Sequence, residues 1–394
     1  MPFLRWMISP RAGAASSRME RAASRAGMRP IILPPMPVLP LLREPSTYRA
    51  CIQDLLADGA EVREYWLRLF EEHVRTLARL PVEGGGHLEG DKRWGAFKAD
   101  YLAGLAELRE RPSLRGRLTV LELTVYRDEK LDAHGFIDPF KPLKDRENAL
   151  ALRLLPGLLK ELDSAAPGEI GELLARGFMA GNQFDMGSRA VVEAFEAGTF
   201  EFRAAREKVR RRPWGVDDLD RWRARLESGP VYGQCLFFVD NCGCDIVLGV
   251  LPIVRELLGR GTRVVLAANS RPSLNDIMAT ELEALLGDCR RLDELVDAGL
   301  GDERLSVVAS GCVSPLIDLA QVSEACCEAA AKSDLLIIEG MGRAIESNYD
   351  AAFTVDTLKM ALIKDPMVAK TIGVELFDPV FRYEAAGDQR PSRV

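Results

Sequence analysis

The sequence is poor in histidine and has no metal-binding cysteine pattern. His73, His87 and His134 are its three histidines, all far upstream of the paired thiols Cys242-Gly243-Cys244 and Cys326-Cys327. Neither pair has CxxC spacing, so a structural zinc finds no support. Long apolar runs are missing too. The most apolar stretch, Ile31–Leu42, is short and broken by Pro34, Pro35, Pro37 and Pro40, so nothing spans a membrane as a helix. Positive charge is not in excess, and a formal net charge of -7 argues against nucleic acid as the main partner. There is no secretory apolar core with a small-residue cleavage site. The eight cysteines therefore read as reduced thiols of a cytoplasmic protein. Two catalytic signatures are also absent. A nicotinamide or flavin enzyme needs Gly-x-Gly-x-x-Gly after its first strand, where this chain reads Asp240-Asn241-Cys242-Gly243-Cys244-Asp245. Haloacid-dehalogenase phosphatases need a second Asp two residues after the first, and here that residue is Cys242.

What is present is ample material for packing. With 394 residues and 47% hydrophobic content, the chain predicts two domains behind a tail. Residues 1–43 read as a flexible tail. Within it, residues 1–30 are rich in Arg, Ala and Ser with Glu20 the sole acid. That stretch is either an organellar transit peptide or a plain disordered extension ahead of Met28. Residues 44–228 read as an all-helical domain, because Trp66, Leu67, Phe70, Val74 and Leu77, and again Trp94, Phe97, Tyr101, Leu105 and Leu108, recur at helical steps. A further helix over Glu147–Leu162 carries Pro156 as an expected kink. After Gly229-Pro230 short apolar runs (Cys235–Val239, Val264–Ala267, Leu305–Ala309, Leu335–Ile338) alternate with helical patterns. Residues 229–394 therefore predict a Rossmann-like α/β domain with a three-layer parallel sheet.

Such sheets bind ligands at the carboxyl ends of their strands, and there the chain places its chemistry. Asp240-Asn241 ends the first run and Asp276 follows the second in Ser273-Leu274-Asn275-Asp276. Oxygen donors of this kind suit Mg²⁺ or Mn²⁺. Asp240 can also attack phosphorus itself; the bland alternatives are a strand-closing turn at Asp240-Asn241 and a helix-capping acid at Asp276. The fourth run ends in Glu339-Gly340-Met341-Gly342-Arg343. Its glycines let backbone N–H groups approach an anion, and Arg343 offers a bidentate grip on phosphate; otherwise the string is a loop with a surface Arg. Lys364 can neutralise phosphate charge or sit solvated before Pro366. Asn182 and Asp185 either line a cleft or cap a helix, and Ser310 follows a strand where its hydroxyl or N–H can meet phosphate. These residues read as a metal-dependent phosphatase, with a non-catalytic nucleotide- or metabolite-binding protein as the rival.

In this order the strings resemble the DUF89 damage-control phosphatases, specifically subfamily II, which includes a plant phosphatase and the C-terminal domain of the pantothenate-kinase-4 proteins. The likeness runs from about Tyr48 onward and includes Lys144-Asp145-Arg146-Glu147-Asn148-Ala149, Ala180-Gly181-Asn182, Arg212-Pro213-Trp214 and Asp217-Asp218-Leu219. Glu-Gly-Met-Gly-Arg is the subfamily marker. No kinase-like segment precedes it, so the chain resembles the stand-alone plant type. The resemblance implies a metal site of Asp240, Asn241 and Asp276 with Mn²⁺, Ni²⁺, Co²⁺ or Mg²⁺, and Lys364 near the phosphate. It implies a small phosphorylated metabolite as partner: 4′-phosphopantetheine and its oxidised forms such as the sulfonate, or alternatively a sugar phosphate.

Overall fold

Apolar runs that cannot face water on either side become central strands, and they do so here. The computed structural model describes residues 36–183 and 202–388. Most of the expected tail, and Asp185, lie outside the described residues. Among the described residues seven strands form one sheet: β1 (Val216–Asp217), β2 (Gln234–Phe238), β3 (Arg263–Ala268), β4 (Leu305–Ala309), β5 (Leu335–Glu339), β6 (Asp356–Leu362) and β7 (Pro379–Glu384). Their spatial order is β1-β7-β6-β5-β2-β3-β4. Every neighbouring pair is parallel except β6 with β7, which run antiparallel with Met360 opposite Phe381. The all-parallel sheet expected from the runs is thus mixed at one edge. Leu236, Phe237 and Phe238 of β2 and all of β5 are buried.

Among the described residues, every regular helix or strand between residues 60 and 208 is helical. These helices are α1 (Ala60–Ala78), α2 (Trp94–Glu110), α3 (Val120–Ala133), α4 (Lys141–Ser164), α5 (Pro167–Gln183) and α6 (Phe202–Lys208). The periodic residues do what their spacing demands: Trp66, Leu67, Phe70, Val74 and Leu77 are all buried on α1. Thr119 and Glu122 close a capping box at the start of α3. The fourth helix begins at Lys141, six residues earlier than the pattern suggested, and continues past Pro156 to Ser164. Later helices are α7 (Leu219–Ser228), α8 (Leu251–Gly259), α9 (Ala279–Cys289), α10 (Glu294–Gly301), α11 (Glu324–Ala330) and α12 (Pro366–Ile372). The described residues from Pro37 onward belong to one compact unit, and Leu39, Leu41 and Leu42 are already buried in it. No helix among the described residues is long and apolar enough to cross a membrane.

The order of strands fixes where a ligand can go. The chain runs outward from β2 to β3 and β4, then returns so that β5 lies on the other side of β2. Loops leaving β2 and β5 therefore depart in opposite directions and open a crevice at their carboxyl ends. Asp240 follows β2, and Glu339 ends β5.

Candidate active site

The loops after β2 and β3 are joined by backbone. Asn241 and Asp276 form an antiparallel bridge, in which Ile277 donates its N–H to the Asp240 carbonyl at 2.9 Å and Cys242 donates to Asn275 at 2.9 Å. This pairing fixes Asp276 opposite the Asp240-Asn241 pair. It also explains why α9 begins only at Ala279: Asp276 belongs to the bridge and does not cap the helix.

Arg343 enters between the two carboxylates. Its side chain is 1% exposed, and its guanidinium pairs with Asp240 Oδ1 and with Asp276 Oδ2, the latter at 2.8 Å. It also donates to Asn269 Oδ1 at 2.9 Å. Asn269 in turn donates to Asp276 Oδ2 at 2.9 Å. The surface Arg of the bland reading is thus a buried partner of both acids. Burial pushes the Asp276 carboxyl well above the usual carboxylate range, and the Arg127 charge opposes it.

The glycines of Glu339-Gly340-Met341-Gly342-Arg343 serve chain-to-chain packing. Gly340 has φ 88°, and a Cβ there would lie 2.3 Å from Asp240 Oδ2. Only a residue without a side chain lets the Asp240 carboxylate rest against this backbone. At Gly342 a Cβ would meet the Pro315 carbonyl at 2.7 Å. Glu339 is fully buried and accepts the Asp240 N–H at 2.6 Å. Burial raises its carboxyl well above the usual range, with the Asp245 charge adding to the effect and Lys364 opposing it.

Asp245 escaped the sequence reading and lies at the centre of this network. It is buried at the start of a π-helical turn, Asp245–Val250. Asn241 donates its amide nitrogen to Asp245 Oδ2 at 2.8 Å and to Asp240 Oδ2 at 2.8 Å. Asn182 donates to the same Asp245 oxygen at 3.0 Å. Asn182 is therefore buried support for Asp245, and its carbonyl accepts Lys364 Nζ at 2.8 Å. The Lys364 N–H meets Met341 Sδ at 3.2 Å. The signal that could have found Asp245 is a lone carboxylate opening the wholly apolar stretch Ile246-Val247-Leu248-Gly249-Val250-Leu251.

Asp240, Asn241, Asp276, Glu339, Gly340, Met341, Arg343, Lys364 and Asn182 are thus linked by direct contacts, while Gly342 packs against Pro315. Ser310 is not linked to them. It is 1% exposed, its N–H donates to Ala268 at 2.8 Å, and its hydroxyl accepts the Cys312 N–H at 3.1 Å. The N–H is thus taken by the end of β3 and the hydroxyl by Ser310's own turn.

The donor chemistry fits a hard divalent ion. Asp240 and Asp276 supply carboxylate oxygens, and the hydrogen bonds of Asp276 gather on Oδ2, which leaves Oδ1 for a further partner. Asn241 supplies an amide. Among the described residues no three His, Cys, Asp or Glu side chains form a cage for a metal by themselves. Such an ion would depend on Asn241 and on retained water, as Mg²⁺ commonly does.

Comparison with known proteins identifies the family. A family model described as the damage-control phosphatase ARMT1-like domain matches residues 71–380. The chain is 35% identical over 357 residues to a damage-control phosphatase of Arabidopsis thaliana, covering 89% of this chain and 96% of that protein. It is 35% identical over 401 residues to the 4'-phosphopantetheine phosphatase of Mus musculus, covering 89% of this chain and 49% of that one. It is also 39% identical over 405 residues to a protein named pantothenate kinase 2 of Arabidopsis thaliana, covering 95% of this chain. The chain spans 44% of that protein and 42% of its namesake from Oryza sativa subsp. japonica, less than half of each. Among solved structures, a DUF89 family protein from Pyrococcus horikoshii shares the fold, with a TM-score of 0.60 at 16% identity, covering 82% of this chain and 96% of that chain. The chain belongs to the damage-control phosphatase family built on the ARMT1-like, or DUF89, domain.

Proposed function

We propose that this chain is a metal-dependent phosphatase of small phosphorylated metabolites, with 4′-phosphopantetheine and its oxidised forms as the first substrates to test. The observation that carries the reading is the meeting of Asp240, Asn241, Asp276 and Arg343 beyond the carboxyl ends of β2, β3 and β5 in a mostly parallel sheet. The name of the mouse relative supports the choice of substrate. The relatives named pantothenate kinase cover 95% and 90% of this chain, so they align with the stretch that also matches the phosphatases.

Asp240, Asn241 and Asp276 would hold a divalent cation, whose chemistry is Lewis acidity toward a phosphate oxygen. Lys364, exposed at the rim, meets the dianionic phosphate first and neutralises part of its charge. Both oxygens of Asp240 are already engaged, one by Arg343 and one by Asn241. Asp240 therefore acts by holding and orienting, and a water is the attacking group. As the water oxygen bonds to phosphorus, the ester P–O bond breaks; the attacking water gives up one proton to solvent and the leaving alkoxide takes one, so that the alcohol and hydrogen phosphate are released. Arg343 keeps the two acids from repelling each other when the site is empty of cation.

Phosphate release is to be measured from 4′-phosphopantetheine, its sulfonate and several sugar phosphates, with Mn²⁺, Ni²⁺, Co²⁺ and Mg²⁺ in turn and with chelator. The expected result is release that depends on added metal and is greatest on the pantetheine esters. Silence on every ester with every metal would reject the reading.

A further inference from the structure

The segment that carries Asp276 is gripped on both sides by charges from the helices that precede the sheet. On one side stands Arg127 of α3, 2% exposed. Its Nε lies 2.8 Å from Asp128 Oδ1, and its Nη2 donates to Ser273 Oγ at 3.2 Å. Ser273 Oγ donates in turn to Asp128, so the hydroxyl is clamped between a cation and an anion. The Ser273 carbonyl accepts the Asp276 N–H at 3.1 Å. On the other side stands Lys144 of α4, wholly buried. Its Nζ lies 2.8 Å from Asp138 and 2.9 Å from Glu281. The same Glu281 oxygen accepts the Met278 N–H at 3.1 Å and so anchors the start of α9.

Between these anchors Leu274 has φ 49°, a left-handed backbone that a branched apolar residue adopts only when its surroundings impose it. Two buried cations are a costly way to build a loop. Their placement makes sense if the loop must hold one geometry.

We propose that Arg127 and Lys144 are positioning residues of the site: through Ser273 and Glu281 they grip the chain before and after Asp276 and hold its carboxylate opposite the Asp240-Asn241 pair. The proposal rests on the reading of Asp276 as a site residue. It gives the helical part of the chain a task in the chemistry besides covering the sheet.

The test uses the full chain with Ser273→Ala, which removes the latch, and Ser273→Thr, which keeps the hydroxyl. Amide hydrogen exchange over residues 269–282 and steady-state kinetics are measured on both. In Ser273→Ala exchange across this segment accelerates, and kcat/KM falls roughly 10- to 100-fold, mainly through kcat. The Tm moves little, and Ser273→Thr restores exchange and rate together. Unchanged exchange with kcat/KM within about twofold of wild type would overturn the proposal, since supporting contacts of this kind carry far larger effects. So would a lost rate with normal exchange, which would make Ser273 a substrate contact. If the wild-type chain releases no phosphate at all, the proposed function fails, while exchange alone still decides whether the latch exists.

Discussion

Replacing Arg343 by Met removes a positive charge and keeps much of the volume. The guanidinium is the shared ionic partner of Asp240 and Asp276, and it also donates to Asn269 at 2.9 Å. Removing one member of a buried ionic cluster strands the others, at a cost of about 3–5 kcal/mol. For a chain of this size that corresponds to a fall of roughly 4–7 °C in Tm. Without the Arg, the two acids become a pair of adjacent like charges with no cation in direct contact, and protonating one of them relieves the cost. The deficit is therefore greatest above neutral pH and shrinks as acid is added. A divalent cation can fill the same electrostatic role. Added Mn²⁺ should raise the Tm of Arg343→Met more than that of wild type; saturation to 100 times its dissociation constant is worth about 2.7 kcal/mol. Calorimetry in chelator and then in Mn²⁺ measures both effects. A variant that melts within about 1 °C of wild type in chelator, where Arg removal should cost several degrees, would refute the argument that Arg343 is structurally committed to the two acids. An Arg that only gripped substrate would instead raise KM and leave the Tm alone.

Asp240→Asn should abolish metal-dependent phosphate release, by roughly 10²–10³-fold or more, with an unchanged circular dichroism spectrum; retained turnover would remove Asp240 from the site. Gly340→Ala, whose new Cβ would fall 2.3 Å from Asp240 Oδ2 at φ 88°, should lower kcat and Tm together, and crystals of the variant should show the Asp240 side chain displaced. Burial lifts the Glu346 carboxyl from 4.5 to about 8, with Asp365 adding to the effect. The folded chain therefore holds a proton there that the unfolded chain has lost, so this residue costs stability increasingly as pH rises from 4.5 to about 8. Glu346→Gln should accordingly melt higher than wild type above pH 8, with the difference vanishing toward pH 4.5; a difference independent of pH would contradict this. Lys364→Ala should raise KM for phosphate esters with little change in Tm, because the side chain lies at the rim and its ammonium contacts the Asn182 carbonyl.

The strands β2, β3 and β5 were legible because burial on both faces forces unbroken apolar runs. The sixth strand was not, since Asp356-Thr357-Leu358-Lys359-Met360 carries a lysine at its centre. Lys359 is wholly buried and satisfied by Glu384 of β7 and by the carbonyls of Tyr349 and Ala351. Pairing across 25 positions of sequence hides such a residue from any local pattern. The same limit applies at the site. The placement of Asp240, Asn241 and Asp276 at strand ends follows from the runs that precede them. That Arg343 turns inward onto Asp240 and Asp276, that Asn182 comes to support Asp245, and that the Ser310 N–H is taken by Ala268 are decided by contacts between distant segments. Those contacts leave no periodic trace.

The last strand is a keystone. β7 lies between β1 and β6, and among the described residues β1 has no other neighbour in the sheet. During synthesis the ribosome delivers β1 long before its seat exists. Residues 216–217 must wait, with the flank of β6 also open, until the segment ending at Glu384 emerges. A nascent chain stalled before Pro379 would leave β1 unseated and one flank of β6 unpaired, and an open strand flank is where chaperones bind and aggregation starts.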